Sequence, residues 1–430
     1  MTVPTIVLLI FLGIMLLSLP KKVALIPLLL GTCYVTVGPR LVIAGADFTV
    51  NRLLAIFGII RVISRSEYKT IILTKLDKLI IIWTLYRIIS GTLLHGNMDG
   101  FINRSGLAFD TICMYFLVRS FINRKDELVS AYKSIAIVFI PLSIFMLLEM
   151  KTGRNMFSVF GGVNEFSAIR NGAIRANGPF LHSILAGSAA ASVLPYVSAL
   201  WNVNSKKLCL ISLFSVMAIV VTCHSSGPIM SLVFSLIGMS CWVLRDSMKK
   251  IRVMIYLSLI MLEIFMEAHV WYLIARIDLT GGSTGFHRAL LISRAIEHFH
   301  EWWLLGTTYT RHWMPTGVSW SPNHTDITNH YILMGVNGGL GNLLLFVMLI
   351  IYGFKYVGIA VKNNPDFESN ITIWAIGSAL FCHAATFISV AYFDQSVMFI
   401  YLTLAMASSV YCLKNETHHE LCSSPVNCPG

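Results

Sequence analysis

LIIIWTLYRIISGTLL, residues 79–94, decides the fold. It is apolar over the length of a membrane crossing and is broken by one arginine, Arg87, near its middle. Inside a hydrocarbon layer every backbone amide must be satisfied within its own segment, so such a run is a helix. Runs of the same kind recur along all 430 residues, of which 56% are apolar and only 12% charged. That composition excludes an ordinary soluble protein and implies an all-α polytopic membrane protein, with no soluble domain large enough for its own core.

Working outward from residues 79–94, the apolar runs fall near 4–19, 23–38, 48–63, 78–95, 101–118, 130–149, 180–200, 208–223, 228–244, 253–274, 331–353, 371–392 and 397–413, giving 12 to 13 expected spans. This organises the chain as a bundle over 1–274 with a loop at 150–179, a large loop over 275–330, closing spans over 331–413 and a tail at 414–430. The first run is followed directly by Lys21-Lys22 and another span, which does not read as a cleaved signal.

A net charge of +11 would suggest nucleic acid in a soluble protein, but here its placement excludes that partner. With the Lys21-Lys22 turn in the cytoplasm, every alternate connection is basic: 61–78, 119–125, 206–207, 245–252, 355–362 and Lys414. That is the positive-inside pattern, and it puts both large loops on the outer side of the membrane. The inner side takes nearly all the lysines. The outer side holds Arg40, Arg52, Arg104, Arg154, Arg170, Arg175, Arg276, Arg288, Arg294 and Arg311 against one lysine, Lys151. Topology does not distinguish arginine from lysine, whereas bidentate binding of phosphate or carboxylate does.

Within the bundle, Arg87 and Asp110 lie at similar depth on consecutive spans and are expected to pair, while Arg52 is expected to snorkel at an interface. Glu263, Glu267 and His269 are expected to meet loop arginines. In the loop before the seventh span, Arg175 stands beside Asn177-Gly178-Pro179, which reads as a helix start with proline in the first turn, and His182 follows at its mouth. Seven of the nine cysteines lie in apolar runs and read as small hydrophobes. Cys422 and Cys428 fall in the inner tail, so no structural disulfide is expected.

The segment Arg276 to Asn342 gathers six of the 13 histidines, four of the nine tryptophans and four arginines. After the flexible, hydroxyl-bearing Gly281–Gly285, FHRALLISRAIEHFHEWWLL has helical spacing, with Ile292, Ile296, Phe299 and Trp303 as a stripe. Arg294, Glu297, His298 and Glu301 are neighbours on another face. Arg288 falls in the first turn, suited to an anion on free backbone amides. The tryptophans fit an interfacial belt or sugar-stacking platforms. His298 and His300, two apart, point to different sides of a helix, and neither HExxH nor an acidic DxD run is present, so a metal-independent activity without a cofactor is expected. His324, Asp326 and His330 close the loop as candidate general bases.

The patches RANGPFLHSILAG (175–187), SSGPIMSL (225–232), STGFHRALL (283–291) and DITNHYILMGVNGGLGN (326–342), in that order over many apolar spans, resemble the O-antigen ligase and polymerase superfamily. The resemblance implies a GT-C-like fold and an integral-membrane glycosyltransferase. Such an enzyme takes a glycan from undecaprenyl pyrophosphate and gives it to a sugar or lipid A-core acceptor, with neither metal nor nucleotide. It implies that Arg175 and Arg288 bind the pyrophosphate, with Arg294 and His182 nearby, and that His330 activates the acceptor hydroxyl. Relatives often carry His-Asn before the aromatic where this chain has Asn329-His330-Tyr331, so the base stays open among His330, His324 and Asp326. Many also carry arginine where Ser226 stands. The reading from a different class is a transporter or flippase of an anionic or lipid-linked substrate, although no repeated pair of interrupted spans supports it.

Overall fold

A computed structural model describes residues 1–43, 45–276, 285–364 and 366–423, with side chains described as far as Leu413 and without that of Phe367. Each apolar run is helical over most of its length, although the run 253–274 leaves the α-helix after Phe265 and the run 331–353 is split at Asn337–Gly338. In chain order the helices are α1 (Val3–Ser18), α2 (Leu25–Tyr34), α3 (Val50–Ser64), α4 (Lys75–His95), α5 (Met98–Phe121), α6 (Lys125–Thr152), α7 (Ser183–Ala199), α8 (Lys206–Thr222), α9 (Ser226–Ser240) and α10 (Met248–Phe265). The large loop adds α11 (Gly285–Glu297) and the one-turn α12 (Phe299–Trp302), followed by α13 (His330–Val336), α14 (Gly339–Asn363), α15 (Phe367–Thr386) and α16 (Met398–Ser423). Among the described residues, four helical stretches are long and apolar enough to cross a membrane: Lys125–Thr152, Ser226–Phe265, Gly339–Asn363 and Gln395–Leu413. Val3–Ser18 and Ser183–Ala199 are shorter apolar helices.

Helix α7 lies at the centre, against α8, α9 and α15. Its sequence, SILAGSAAASVLPYVSA, is rich in small residues and almost wholly buried, which lets neighbouring backbones approach closely. Gly187 is one such place: a Cβ there would lie 2.5 Å from Pro228 of α9. Hydroxyls stitch the centre, Ser235 Oγ donating to the Ala191 carbonyl (2.6 Å) and Thr386 Oγ1 to Ser231 Oγ (2.9 Å). At the other extreme, α10 has no buried residue and is apolar on nearly every side.

Several basic turns meet at one end of the bundle, where Lys21 meets Glu127 (3.3 Å), Lys22 meets Asp126 (2.7 Å) and Lys125 donates to Ser369 Oγ (3.2 Å). There Arg119, 1% exposed, is held by the Asp77 carboxylate, Ser409 Oγ and the Ile72 carbonyl. Arg61 caps α1 by donating to the carbonyls of Leu16 and Leu19. The opposite end carries Thr5 Oγ1 on the Phe160 carbonyl (2.9 Å) and Leu181 N on Asp394 (2.9 Å), which tie down the loop before α7.

Several expectations are corrected. Asp110 pairs with Arg52, not Arg87: Nε and Nη2 of Arg52 donate to its two oxygens at 2.9 and 2.8 Å. Gly106 makes room for that fork, since a Cβ there would sit 2.7 Å from Nη1. Arg87 instead lies over the Trp83 ring, 4.6 Å from its centroid. Helix α7 starts at Ser183 with His182 as its N-cap, so Pro179 belongs to the preceding turn. Glu263 is bound by His269 (2.6 Å), not by a loop arginine. Helix α16 runs on to Ser423, into what composition marked as tail. The loops also hold three two-stranded hairpins that periodicity did not announce: Arg40–Ile43 with Ala46–Thr49, Ile169–Arg170 with Ala173–Ile174, and Gly317–Val318 with Ser321–Thr325. The expected hydroxyl cap at Gly281–Thr284 lies outside the described residues. The seven cysteines whose side chains are described are free thiols.

Candidate functional site

Arg175 is set in place from its backbone outward. Its N–H donates to the Ala168 carbonyl (2.9 Å), the next N–H donates to Thr222 (3.0 Å), and its Nε reaches the Cys223 carbonyl (3.4 Å). The turn that follows is fixed by groups no sequence motif singled out. Buried Glu149 accepts from the N–H groups of Asn177 and Gly178 (both 2.9 Å) and from Ser167 (2.7 Å). Asn155 donates to the Gly178 carbonyl (2.7 Å), and Gln395 to that of Pro179 (2.7 Å). A carboxylate with both oxygens on backbone donors is a rigid brace, so Arg175 and His182 stand on a braced turn. His182 uses Nδ1 to accept the Ile184 N–H (3.1 Å) and so caps α7.

Arg288 comes from the other loop, in the first turn of α11 as its position predicts. Arg175 and Arg288 are each 8% exposed, and among the described residues Nη2 of Arg175 and Nε of Arg288 are buried without a hydrogen-bond partner. Burial and the charge of Arg170 push Arg175 below its ordinary value. Burial does the same at Arg288, opposed by the carboxylate of Asp326 and reinforced by Arg170. Arg170 therefore lies within electrostatic reach of both guanidiniums, and also of His182. Both guanidiniums thus keep a buried donor unused under the field of Arg170, offset at Arg288 by Asp326, and an anion would satisfy such donors.

No protein-family model matches the chain, and no curated protein matches it. The residues themselves carry the functional argument.

The remaining sequence candidates separate. Asp326 is exposed beside Arg288, and its backbone carbonyl faces His287 Nε2 at 3.3 Å. His324, part-buried, lies on the strand two residues before it, and burial lowers its pKa below 6.5. His330 is 2% exposed, stacks on Phe387 (4.5 Å between centroids) and accepts the Tyr392 N–H at Nδ1 (3.2 Å), which anchors α13 to the bundle. Arg294 pairs instead with Glu297 (2.5 Å) on an exposed face of α11.

One further arginine, Arg104, adjoins this region. It lies against Gly91 of α4, where a Cβ would fall 2.6 Å from Nε, and donates to Asn337 Oδ1 (3.1 Å). Its charge is felt by His95, as is that of His324. The NGGLGN patch (337–342) is explained the same way. The chain breaks between α13 and α14 at Gly338–Gly339, and the loop 302–307 docks there through Leu340 N on the Trp303 carbonyl (2.7 Å) and Thr307 N on that of Val336 (2.9 Å). A third cluster, not foreseen, joins His298, Glu301 and His312. The comparison of His298 with His300 missed it because the partner, His312, lies beyond the helix.

Proposed function

We propose that the chain is an integral-membrane glycosyltransferase of the bacterial inner membrane, GT-C-like, with its site on the periplasmic side. It moves a glycan from undecaprenyl pyrophosphate to a sugar hydroxyl, as an O-antigen ligase or an exopolysaccharide polymerase does, in lipopolysaccharide or related surface-glycan synthesis. The observation that carries this reading is the pair of buried, incompletely bonded guanidiniums, Arg175 and Arg288, drawn from two different loops at the arginine-rich end. A diphosphate supplies the bidentate acceptors both lack.

In this reaction the bond from the anomeric carbon to the phosphate oxygen breaks, and that oxygen keeps the electron pair as the lipid-linked pyrophosphate departs. The acceptor hydroxyl oxygen forms the new bond to that carbon. Arg175 and Arg288 hold the charge that develops on the leaving group, an effect worth roughly 10² to 10³ in rate for one such preorganised donor. Asp326, exposed beside Arg288, is the carboxylate best placed to take the hydroxyl proton, with His324 next to it; His330 holds α13. The arginines supply the positive charge, so no metal at the diphosphate is invoked.

The test uses purified protein in detergent with a lipid-pyrophosphate glycan and candidate acceptors. Release of undecaprenyl pyrophosphate without ATP or added divalent ions, with glycan on the acceptor, supports the proposal. Elongation marks a polymerase and single capping of lipid A-core a ligase. Movement of intact donor between leaflets of a proteoliposome, with no product formed, would establish the transporter or flippase reading instead.

A further inference from the structure

His298, Glu301 and His312 put one ligand atom each within 4.8 Å of one another. Both imidazoles aim at the same oxygen: His298 Nδ1 lies 2.8 Å and His312 Nε2 2.9 Å from Glu301 Oε1. The other oxygen, Oε2, accepts the indole N–H of Trp313 at 2.9 Å. Each imidazole is held by an aromatic ring, His298 stacked on Trp313 (7° between planes) and His312 on Tyr309 (10°). His300 Nε2 stands 3.9 Å from Oε1 on the open side.

We infer that His298, Glu301 and His312 form a binding site for one divalent first-row transition ion of the zinc class, with His300 placed to close the shell. Two neutral imidazoles and a carboxylate are a ligand set for such ions, whereas magnesium and calcium prefer oxygen alone. Tetrahedral zinc, with bonds of about 2.0–2.1 Å, spaces its ligand atoms by roughly 3.3 Å. The nitrogens therefore move apart from Oε1 by only about 0.5 Å when a cation replaces the two shared protons. The Trp313 donor already fixes the carboxylate, the outer-shell hydrogen bond that tunes metal sites.

The ion would tie the end of α11–α12 to the turn at 310–313. Between these segments lies the loop's own small core of Leu291, Ala295, Trp302, Trp313, Met314 and Val336. Arg288 rides on the same helix, so the clamp would hold that arginine's support without touching it. None of the three ligands is among the charges acting on Arg175 or Arg288, and the inference stands apart from the glycan-transfer reading.

The test takes the full chain in detergent, purified without a polyhistidine tag, stripped with chelator and titrated with Co²⁺. We expect one equivalent to give the intense visible bands of tetrahedral cobalt and to be displaced by Zn²⁺. Glu301→Gln and His312→Gln should each lose that equivalent, and Trp313→Phe should weaken it about 10- to 100-fold. Any cobalt held by His418, His419 and the tail cysteines would persist in all variants and so be counted separately. His312 is part exposed, so its variant carries the test if Glu301→Gln does not fold. Equal cobalt uptake and identical spectra for the wild type and His312→Gln would overturn the site and leave the cluster as hydrogen bonds only.

Discussion

Replacing Arg288 with methionine should raise stability and abolish most activity, two effects of opposite sign. In the absence of substrate, Nε of Arg288 is buried without an acceptor and the charge is 8% exposed. An unsatisfied buried donor costs about 1–3 kcal/mol, more when charged. Repulsion from Arg170 adds to that cost, and Asp326 offsets part of it. Methionine keeps the length, packs flexibly and carries no charge, so Arg288→Met should gain about 1–2 kcal/mol in fold stability. The same change removes a donor to the departing diphosphate and should lower transfer about 10²- to 10³-fold. Arg119→Met is the contrast. It strands Asp77, wholly buried, and should lose about 3–5 kcal/mol. Denaturant unfolding in mixed micelles measures the first quantity, and release of undecaprenyl pyrophosphate the second. If Arg288→Met destabilised the fold as much as Arg119→Met, Arg288 would be a structural cation and the anion-site argument would fail. Arg288→Lys should be nearly as inactive as the methionine variant, because an ammonium has no bidentate fork.

Further outcomes follow from particular contacts. A double-mutant cycle on Arg52→Gln and Asp110→Asn should show a coupling of about 1–3 kcal/mol, against under about 0.5 kcal/mol for Arg87→Gln with Asp110→Asn; comparable couplings in the two cycles would contradict the observed pairing. Gly306 has φ +98°, and a Cβ there would strike the carbonyl of Val336, so Gly306→Ala should cost about 1–3 kcal/mol and loosen the loop from the α13–α14 break, read by protease cleavage near residue 306. His324 has its pKa lowered from 6.5 by burial, so the folded state binds fewer protons than the unfolded one just below that pH. Its contribution to stability is then complete above about pH 6.5 and shrinks as pH falls, a dependence His324→Gln should remove from the pH profile of thermal unfolding.

What the sequence by itself determined is what depends on neighbours along the chain. Thirteen apolar runs became helices because a run such as 79–94 carries its own backbone hydrogen bonds. Lys21, Lys22 and Lys125 meet acidic or hydroxyl partners at one end, from turns that the sequence already marked as basic. Arg288 fell in the first turn of its helix because 3.6-residue spacing is local. Tertiary structure alone decided the partners. Arg87 and Asp110 share a depth, but the rotation of α5 and the gap at Gly106 gave Asp110 to Arg52. Glu149, from the end of α6, and Asp394, from the turn before α16, hold the segment that follows Arg175. His298 and His300 lie two apart on the chain, yet the ring that packs against His298, that of His312, arrives from beyond the helix. Depth, sign and periodicity are fixed within one segment, while a contact between two side chains needs the relative rotation and order of separate helices, which only the packed bundle sets.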